Sequence, residues 1–243
     1  MSSIDDALRA IRETKPRKVV FFTGAGISAD SGIPTFRGPD GLWRNFRAEE
    51  LATPDAFRRD PAMVWEWYEW RRALIRNAQP NAAHEAIAGL SHTIVVTQNV
   101  DSLHTRAGAN NVIELHGNIF RVRCTKEQHT ETREEPFAEI PPRCDCGALL
   151  RPDVVWFGET LPDEAVARAV SAIRNADLLV IIGTSGVVHP AAGFVRLHHG
   201  LSIEINPEAS ALSSACTFAI AAKAAAATPP LVKAISEAIQ EVR

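Results

Sequence analysis

The sequence has little that would hold the chain in a membrane or on a polyanion. Net charge is only −3 over 243 residues, with a pI near 6.2, so no global basic field draws it to nucleic acid or an anionic lipid surface. Long apolar runs are missing as well. The most apolar stretch, Leu178 to Val195, is interrupted by Gly183, Thr184, Ser185, Gly186, His189 and Pro190, and cannot satisfy its backbone in lipid as one unbroken helix. Residues 1 to 18 contain no apolar segment of the signal-peptide kind, and Asp5, Asp6 and Glu13 do not suit a transit peptide. The expectation is a cytoplasmic protein with neither a membrane nor a nucleic-acid partner. Cysteine is scarce: there are four, three of them between Cys124 and Cys146, a grouping that suits a metal cluster in a reducing compartment better than a disulfide framework. There is one tyrosine, Tyr68. Nothing in the sequence marks an oligomeric state.

What is present is an ordinary globular composition, 46% apolar and 23% charged, long enough for one main domain and a small module. Val19 to Thr23 is a short β-branched and aromatic run that stops at Gly24-Ala25-Gly26, as a buried parallel strand feeding a tight turn would. Similar runs recur at Thr93 to Thr97, Val112 to Leu115, Leu178 to Ile182, Leu201 to Ile205 and Phe218 to Ala221. Helical faces fall between or beside them: Ile4, Ala7, Leu8 and Ile11 behind a Ser3 cap; Val166, Ala169, Val170 and Ile173; and Leu231, Ile235, Ala238, Ile239 and Val242 behind Thr228-Pro229, read as cap and first turn. The alternation predicts an α/β fold, a Rossmann-like parallel sheet with helices on both faces. That core is expected over about residues 1–33, 81–118 and 153–243 of a single catalytic domain. Two stretches interrupt it: a helical excursion over about 34–80, with an aromatic-rich helix at Met63 to Ile75, and a cysteine-bearing small module over about 119–152.

Gly24-Ala25-Gly26-Ile27-Ser28-Ala29 fits the G-x-G-x-x-G/A pattern after a strand, where small residues let backbone approach a pyrophosphate. A hydride-transfer enzyme should carry an acidic residue about 20 positions on, to hold the adenine ribose. Arg44 stands there, and Leu42 to Ala48 contains neither Asp nor Glu, which weakens the dehydrogenase reading. The loop runs on instead through Asp30 to Pro34 and Thr35-Phe36-Arg37-Gly38. With Thr97-Gln98-Asn99-Val100-Asp101-Ser102-Leu103-His104, His116-Gly117 and Gly183-Thr184-Ser185, it forms an ordered series spanning nearly the whole chain. This series resembles that of the sirtuins.

The resemblance implies an NAD-consuming deacylation: the amide oxygen of an acyl-lysine attacks the nicotinamide ribose, and nicotinamide, O-acyl-ADP-ribose and free lysine result. It implies His116 as general base, with Asn99 and Asp101 ordering the nicotinamide ribose and water. The cofactor pocket it implies comprises Gly24, Ala25, Gly26, Ser28, Asp30, Phe36, Arg37, Gln98, Asn99, Asp101, Gly183, Thr184, Ser185, Asn206 and Ala224. A histidine suits the base because its ordinary pKa of about 6.5 leaves it neutral near physiological pH. Val154-Val155-Trp156-Phe157-Gly158-Glu159 resembles the substrate-binding stretch of the family, with Val154, Val155, Phe157 and Gly158 against the acylated peptide as an added strand; a plain core strand is the other reading.

Tyr68 and Arg71 are three apart, so on a helix they share a face. A guanidinium fork beside a phenol is a good receptor for a carboxylate, although an aromatic core stripe with a solvated arginine would look the same. The Tyr-x-x-Arg pattern resembles the sirtuin class that takes succinyl, malonyl and glutaryl lysine, which implies acidic acyl groups alongside acetyl.

The family commonly holds structural zinc with two C-x-x-C pairs. Here Glu127 occupies the position paired with Cys124, and Cys144-Asp145-Cys146 is one residue too close. Cys124, Cys144 and Cys146 remain as candidate ligands, with Glu127 or His129 as a fourth; a zinc-free module is the alternative. Two rival functions share the pocket: transfer of ADP-ribose to a protein side chain, and a non-catalytic NAD-binding module.

Overall fold

A computed structural model describes residues 2–35, 46–188 and 190–240. The chain opens with helix α1 (Ile4–Thr14), started by Ser3, whose hydroxyl accepts the Asp5 N–H at 3.2 Å. Strand β1 (Val19–Thr23) follows, buried at every position, and runs into a 3₁₀ turn (Ala25–Ser31). The helical excursion comprises α2 (Ala48–Leu51), α3 (Pro54–Arg59) and α4 (Pro61–Asn77). Asp60 caps α4 by accepting the Met63 N–H at 2.9 Å, with Pro61 in the first turn, where its missing N–H costs nothing.

Helix α5 (Ala82–Ala88), β2 (Ile94–Thr97), α6 (Leu103–Arg106) and β3 (Val112–Glu114) complete the first half of the core. A second sheet then interrupts it, made of β4 (Gly117–Cys124), β5 (Thr130–Thr132) and β6 (Leu150–Val154), antiparallel in the order β5-β4-β6. The core resumes with α7 (Asp163–Arg174), β7 (Leu178–Ile182), α8 (Ala191–Phe194), β8 (Leu201–Asn206), β9 (Phe218–Ala221) and α9 (Ala224–Gln240).

The main sheet is parallel throughout, in the order β3-β2-β1-β7-β8-β9. Its two faces are covered separately. On one, α1, α5 and α9 bury Ile11, Ile87, Leu231 and Ile235 against Phe21, Val180 and Ile203. On the other, α7 and α8 bury Ala169, Ile173 and Phe194 against Phe22, Val96 and Ile181. A third core, built on Trp65, Trp67, Ile119, Val122 and Leu150, joins the helical excursion to the small sheet. Every strand expected in the main sheet is present, and so is its α/β architecture.

One helix start differs from expectation. Thr228-Pro229 is not the entry to α9, which begins at Ala224 and carries Pro229 and Pro230 inside it. The Lys223 carbonyl accepts the Ala226 and Ala227 N–H groups at 3.2 and 3.1 Å, so the alanine tract supplies a full turn before the prolines. Alanine's high helix propensity wins there, and the two missing N–H donors fall early in the helix.

Candidate active site

Strand order reverses between β1 and β7: connections from β1 build outward to β2 and β3, and those from β7 build outward to β8 and β9. In an open parallel sheet the crevice at the carboxyl ends beside such a switch point binds ligands. Five of the predicted residues gather there because each follows or closes its strand: Gly24 after β1, Gln98 after β2, His116 after β3, Gly183 after β7, and Asn206 at the end of β8.

The floor of the crevice is backbone on backbone. Gly24 N–H donates to the Ile182 carbonyl at 2.9 Å, and Gly26 N–H to the Gly183 carbonyl at 2.8 Å. A Cβ on Gly26 would lie 2.6 Å from the Gly183 Cα, and one on Gly183, whose φ is +63°, would lie 2.3 Å from the Ile27 nitrogen. The two glycine motifs, far apart in sequence, are therefore one contact.

Above that floor runs a connected polar network. Ser28 Oγ donates to Asp101 Oδ2 at 2.7 Å, and Asp101 Oδ1 accepts the Leu103 N–H at 3.0 Å. Asn99 Nδ2 donates to the Gly24 carbonyl at 3.1 Å and Ser28 Oγ at 3.3 Å, while Gln98 Nε2 donates to Thr184 Oγ1 at 3.1 Å. Asn206 Nδ2 donates to the Thr184 carbonyl at 3.1 Å. Burial pushes the Asp101 carboxyl above the ordinary range, opposed by the Ser28 and Leu103 bonds and by the positive charges of Arg71 and Arg106.

His116 is half-buried, with Nδ1 2.8 Å from the Gln98 carbonyl oxygen. A carbonyl can only accept, so Nδ1 carries the proton, and the neutral ring presents Nε2 as a lone pair. Burial lowers its pKa, with the Gln98 bond acting the other way, which favours that neutral form. Gly117 beside it has φ +79°, and a Cβ there would lie 2.1 Å from the Asp153 carbonyl oxygen. The His116 carbonyl accepts the Val155 N–H at 2.9 Å, which ties the base loop to the 154–159 stretch.

Only Val154 of that stretch belongs to a strand, so the core-strand reading fails. Residues 155–159 form a turn closed by Glu159, which accepts from Arg151 at 2.6 and 2.9 Å and from the Trp156 N–H at 2.9 Å. Trp156 is buried, whereas Phe157 is 45% exposed and Gly158 has φ +90°. The Phe157 N–H donates to the Ala52 carbonyl at 2.9 Å.

Tyr68 and Arg71 are both buried on the inner face of α4. Tyr68 Oη accepts the Trp156 Nε1–H at 2.8 Å, and burial raises its pKa far enough to keep the phenol protonated, so that it retains an O–H donor. The Arg71 guanidinium lies 5.6 Å from the Trp67 ring centre. Burial lowers its pKa, countered by Tyr68 and Asp101. The pair thus adjoins the Asp101 end of the network rather than solvent, so the solvated-arginine reading fails.

Other predicted residues are peripheral or outside the described structure. Asp30 accepts the Ala225 N–H at 3.4 Å and pairs with Lys223 at 3.4 Å, at the start of α9. The Ala224 methyl is buried in the core there. Phe36 and Arg37 lie outside the described residues. A buried relay was missed by sequence reasoning: Thr23 Oγ1 meets His104 Nε2 at 3.0 Å and Thr97 Oγ1 at 2.9 Å, and Thr97 Oγ1 accepts the Asn99 N–H at 3.0 Å. Its only trace in the sequence is a threonine closing each of two otherwise apolar strands.

Away from the crevice, the Cys124, Cys144 and Cys146 thiols converge, each within 4.8 Å of the others. Cys124 and Cys146 Sγ are 3.6 Å apart, far beyond a disulfide bond of about 2.05 Å. Zinc held here would staple the β4–β5 turn to the segment before β6 and take no part in chemistry at the crevice.

Comparison with known proteins accounts for this arrangement. A family model described as the Sir2 family matches residues 24–190. An NAD-dependent protein deacylase of Pyrococcus furiosus is 52% identical over 235 residues, covering 91% of this chain and 94% of the relative. A solved Sir2 homolog–NAD complex superposes with a TM-score of 0.89 at 46% identity, covering 97% of this chain and 94% of that one. A Sir2–p53 peptide–NAD+ complex gives 0.80 at 31% identity, covering 99% of both chains. The family match over most of the chain, with the glycine, Gln98–Asp101, His116 and Gly183–Ser185 motifs at the carboxyl edge of one parallel sheet, makes this chain a member of the Sir2 family, the sirtuins.

Proposed function

We propose that the chain is an NAD-dependent protein-lysine deacylase that favours succinyl, malonyl and glutaryl groups and also accepts acetyl. The observation carrying the acyl preference is the buried Tyr68–Arg71 pair, a phenol donor and a guanidinium fork on one inner helix face next to the Asp101 network. A fixed cation and an O–H donor in a water-poor pocket favour an acyl chain ending in a carboxylate, and a methyl group gains nothing from them.

The catalytic assignment follows from the crevice. NAD, as co-substrate, supplies the activated ribose carbon and nicotinamide as leaving group; Gly24, Ala25, Gly26, Ser28, Gln98, Gly183, Thr184, Ser185 and Asn206 are the residues that would hold it. Asn99 and Asp101, locked by Ser28 and Leu103, orient the reacting end and ordered water. His116 Nε2 accepts a ribose hydroxyl proton, while the Gln98 carbonyl keeps the ring in the tautomer this needs. The exposed Phe157–Gly158 edge takes the peptide alongside Val154 and Val155.

The test is nicotinamide release from NAD with succinyl, malonyl, glutaryl and acetyl lysine peptides. Native protein should give a higher kcat/KM on the acidic acyl peptides. Arg71→Met should lower that for succinyl by about 10-fold or more, as expected for loss of a charged hydrogen bond of roughly 1.5–3 kcal/mol, and leave acetyl within a few-fold. Equal losses on both substrates would remove the acidic-acyl assignment and leave the deacylase intact.

A further inference from the structure

We propose that Trp156 is a positioning residue that sets the selectivity of the acyl pocket. Its indole N–H fills the acceptor side of the Tyr68 oxygen, so the Tyr68–Arg71 pair offers donors alone, and the pocket takes an acyl chain ending in a carboxylate while rejecting the isosteric carboxamide. The inference rests on the acidic-acyl reading above and adds the residue that enforces it.

The argument turns on which hydrogen-bond roles remain open. Trp156 Nε1 donates to Tyr68 Oη at 2.8 Å, and both side chains are buried. A phenol oxygen has one proton to give and, with its second lone pair delocalised into the ring, one strong acceptor direction. The indole N–H is a donor that cannot accept, so it occupies that direction and leaves the phenol proton for another group. A carboxylate or carbonyl in its place would take the proton and turn a lone pair towards the pocket. Arg71 acts on Tyr68 through its charge, and a guanidinium has five N–H donors and no acceptor. A carboxylate, which only accepts, matches that pair at both oxygens. A carboxamide of the same shape turns N–H groups against buried donors on one side, a mismatch that costs far more than a change in apolar bulk.

Trp156 is itself fixed from several directions. Its backbone N–H donates to Glu159 Oε2 at 2.9 Å, and Arg151 holds that carboxylate through two bonds of 2.6 and 2.9 Å. The Arg151 guanidinium also lies 3.5 Å from the Trp156 ring centre, and the Phe57 ring packs against the indole at 5.2 Å. A cation on the ring face draws electron density from the indole and makes its N–H a stronger donor, and that donation in turn polarises the phenol O–H. Because Trp156 directly precedes Phe157 and Gly158, the residue that filters the acyl end belongs to the same turn as the peptide-facing edge.

The test compares kcat/KM on acetyl-, succinyl- and succinamoyl-lysine peptides free of tyrosine, for native protein and Trp156→Phe, which keeps an aromatic ring without the N–H. Native protein should favour succinyl over succinamoyl by at least about 10²-fold. Trp156→Phe should shrink that ratio by about 10-fold, because the freed phenol oxygen can accept from the carboxamide, and leave acetyl within about 3-fold. Tyr68 is the one tyrosine in the chain, so the tyrosine Fermi doublet in the Raman spectrum, which distinguishes a donating phenol from an accepting one, reports on it alone. The native doublet should be that of a phenol that accepts, gain donor character with the succinyl peptide, and lose acceptor character in Trp156→Phe. An unchanged succinyl-to-succinamoyl ratio in Trp156→Phe, or a native doublet without acceptor character, would overturn the inference. So would native protein that favours succinyl over acetyl yet treats the carboxamide as an equal substrate; the acidic-acyl reading would then stand. Native protein without a preference for succinyl over acetyl would remove both. The native measurements decide the matter even where Trp156→Phe does not fold.

Discussion

At Gly26 and Gly183 a single added methyl group would force apart the loops that follow β1 and β7, since each Cβ would fall under 3 Å from the opposite backbone. Gly183→Ala also sits at φ +63°, so strain and collision add. It should lose about 2–4 kcal/mol of stability by urea unfolding, and a loss under 0.5 kcal/mol would mean the two loops do not meet as described. Tyr68 makes a second residue-level case. Tyr68→Phe removes the acceptor of the buried Trp156 indole N–H and should cost about 1–3 kcal/mol, together with a preferential fall in desuccinylation over deacetylation. The pairing of Tyr68 with Arg71 was legible because helical spacing is local. The Trp156–Tyr68 bond was not, because its partners are 88 positions apart and either side chain would have been content in any apolar core.

Between elements, α5 and α6 press two histidines together: His84 and His104 have ring centres 4.9 Å apart, both are buried, and His84 Nε2 and His104 Nδ1 have no hydrogen-bond partner among the described residues. Burial holds their pKa values down to about 4 and about 3, against an ordinary 6.5. The unfolded chain therefore binds protons below pH 6.5 while the folded chain does not. Stability should be full above pH 6.5 and fall as the pH drops towards those folded values, by up to about 1.4 kcal/mol per pH unit for each histidine. Urea midpoints at pH 7, 6 and 5 check this, and a flat profile would contradict it. This contact joins helices 20 residues apart and left no periodic trace in the sequence. The strands of the main sheet, by contrast, were legible as short apolar β-branched runs, buried on both faces. The antiparallel sheet was hidden because β5 is the exposed Thr-Glu-Thr and β6 carries a proline, Pro152. The start of α9 was misplaced because an alanine turn precedes its prolines, and proline alone suggested a boundary.

For the molecule as a whole, topology explains why widely separated motifs converge. Outward growth of the sheet on both sides of β1 and β7 brings five strand ends to one crevice edge, and the excursion between β1 and β2 carries Tyr68 and Arg71 over it. The order of motifs was visible in the sequence; the single glycine contact that holds their centre together required three dimensions. The central claim, His116 acting as base in an NAD-consuming deacylation, is tested most directly by mass-resolved product analysis with NAD and a succinyl-lysine peptide. The account predicts equal amounts of nicotinamide, free-lysine peptide and O-succinyl-ADP-ribose, with turnover reduced about 10²–10⁴-fold in His116→Tyr. ADP-ribose attached to protein in place of O-succinyl-ADP-ribose, or undiminished turnover in His116→Tyr, would contradict it.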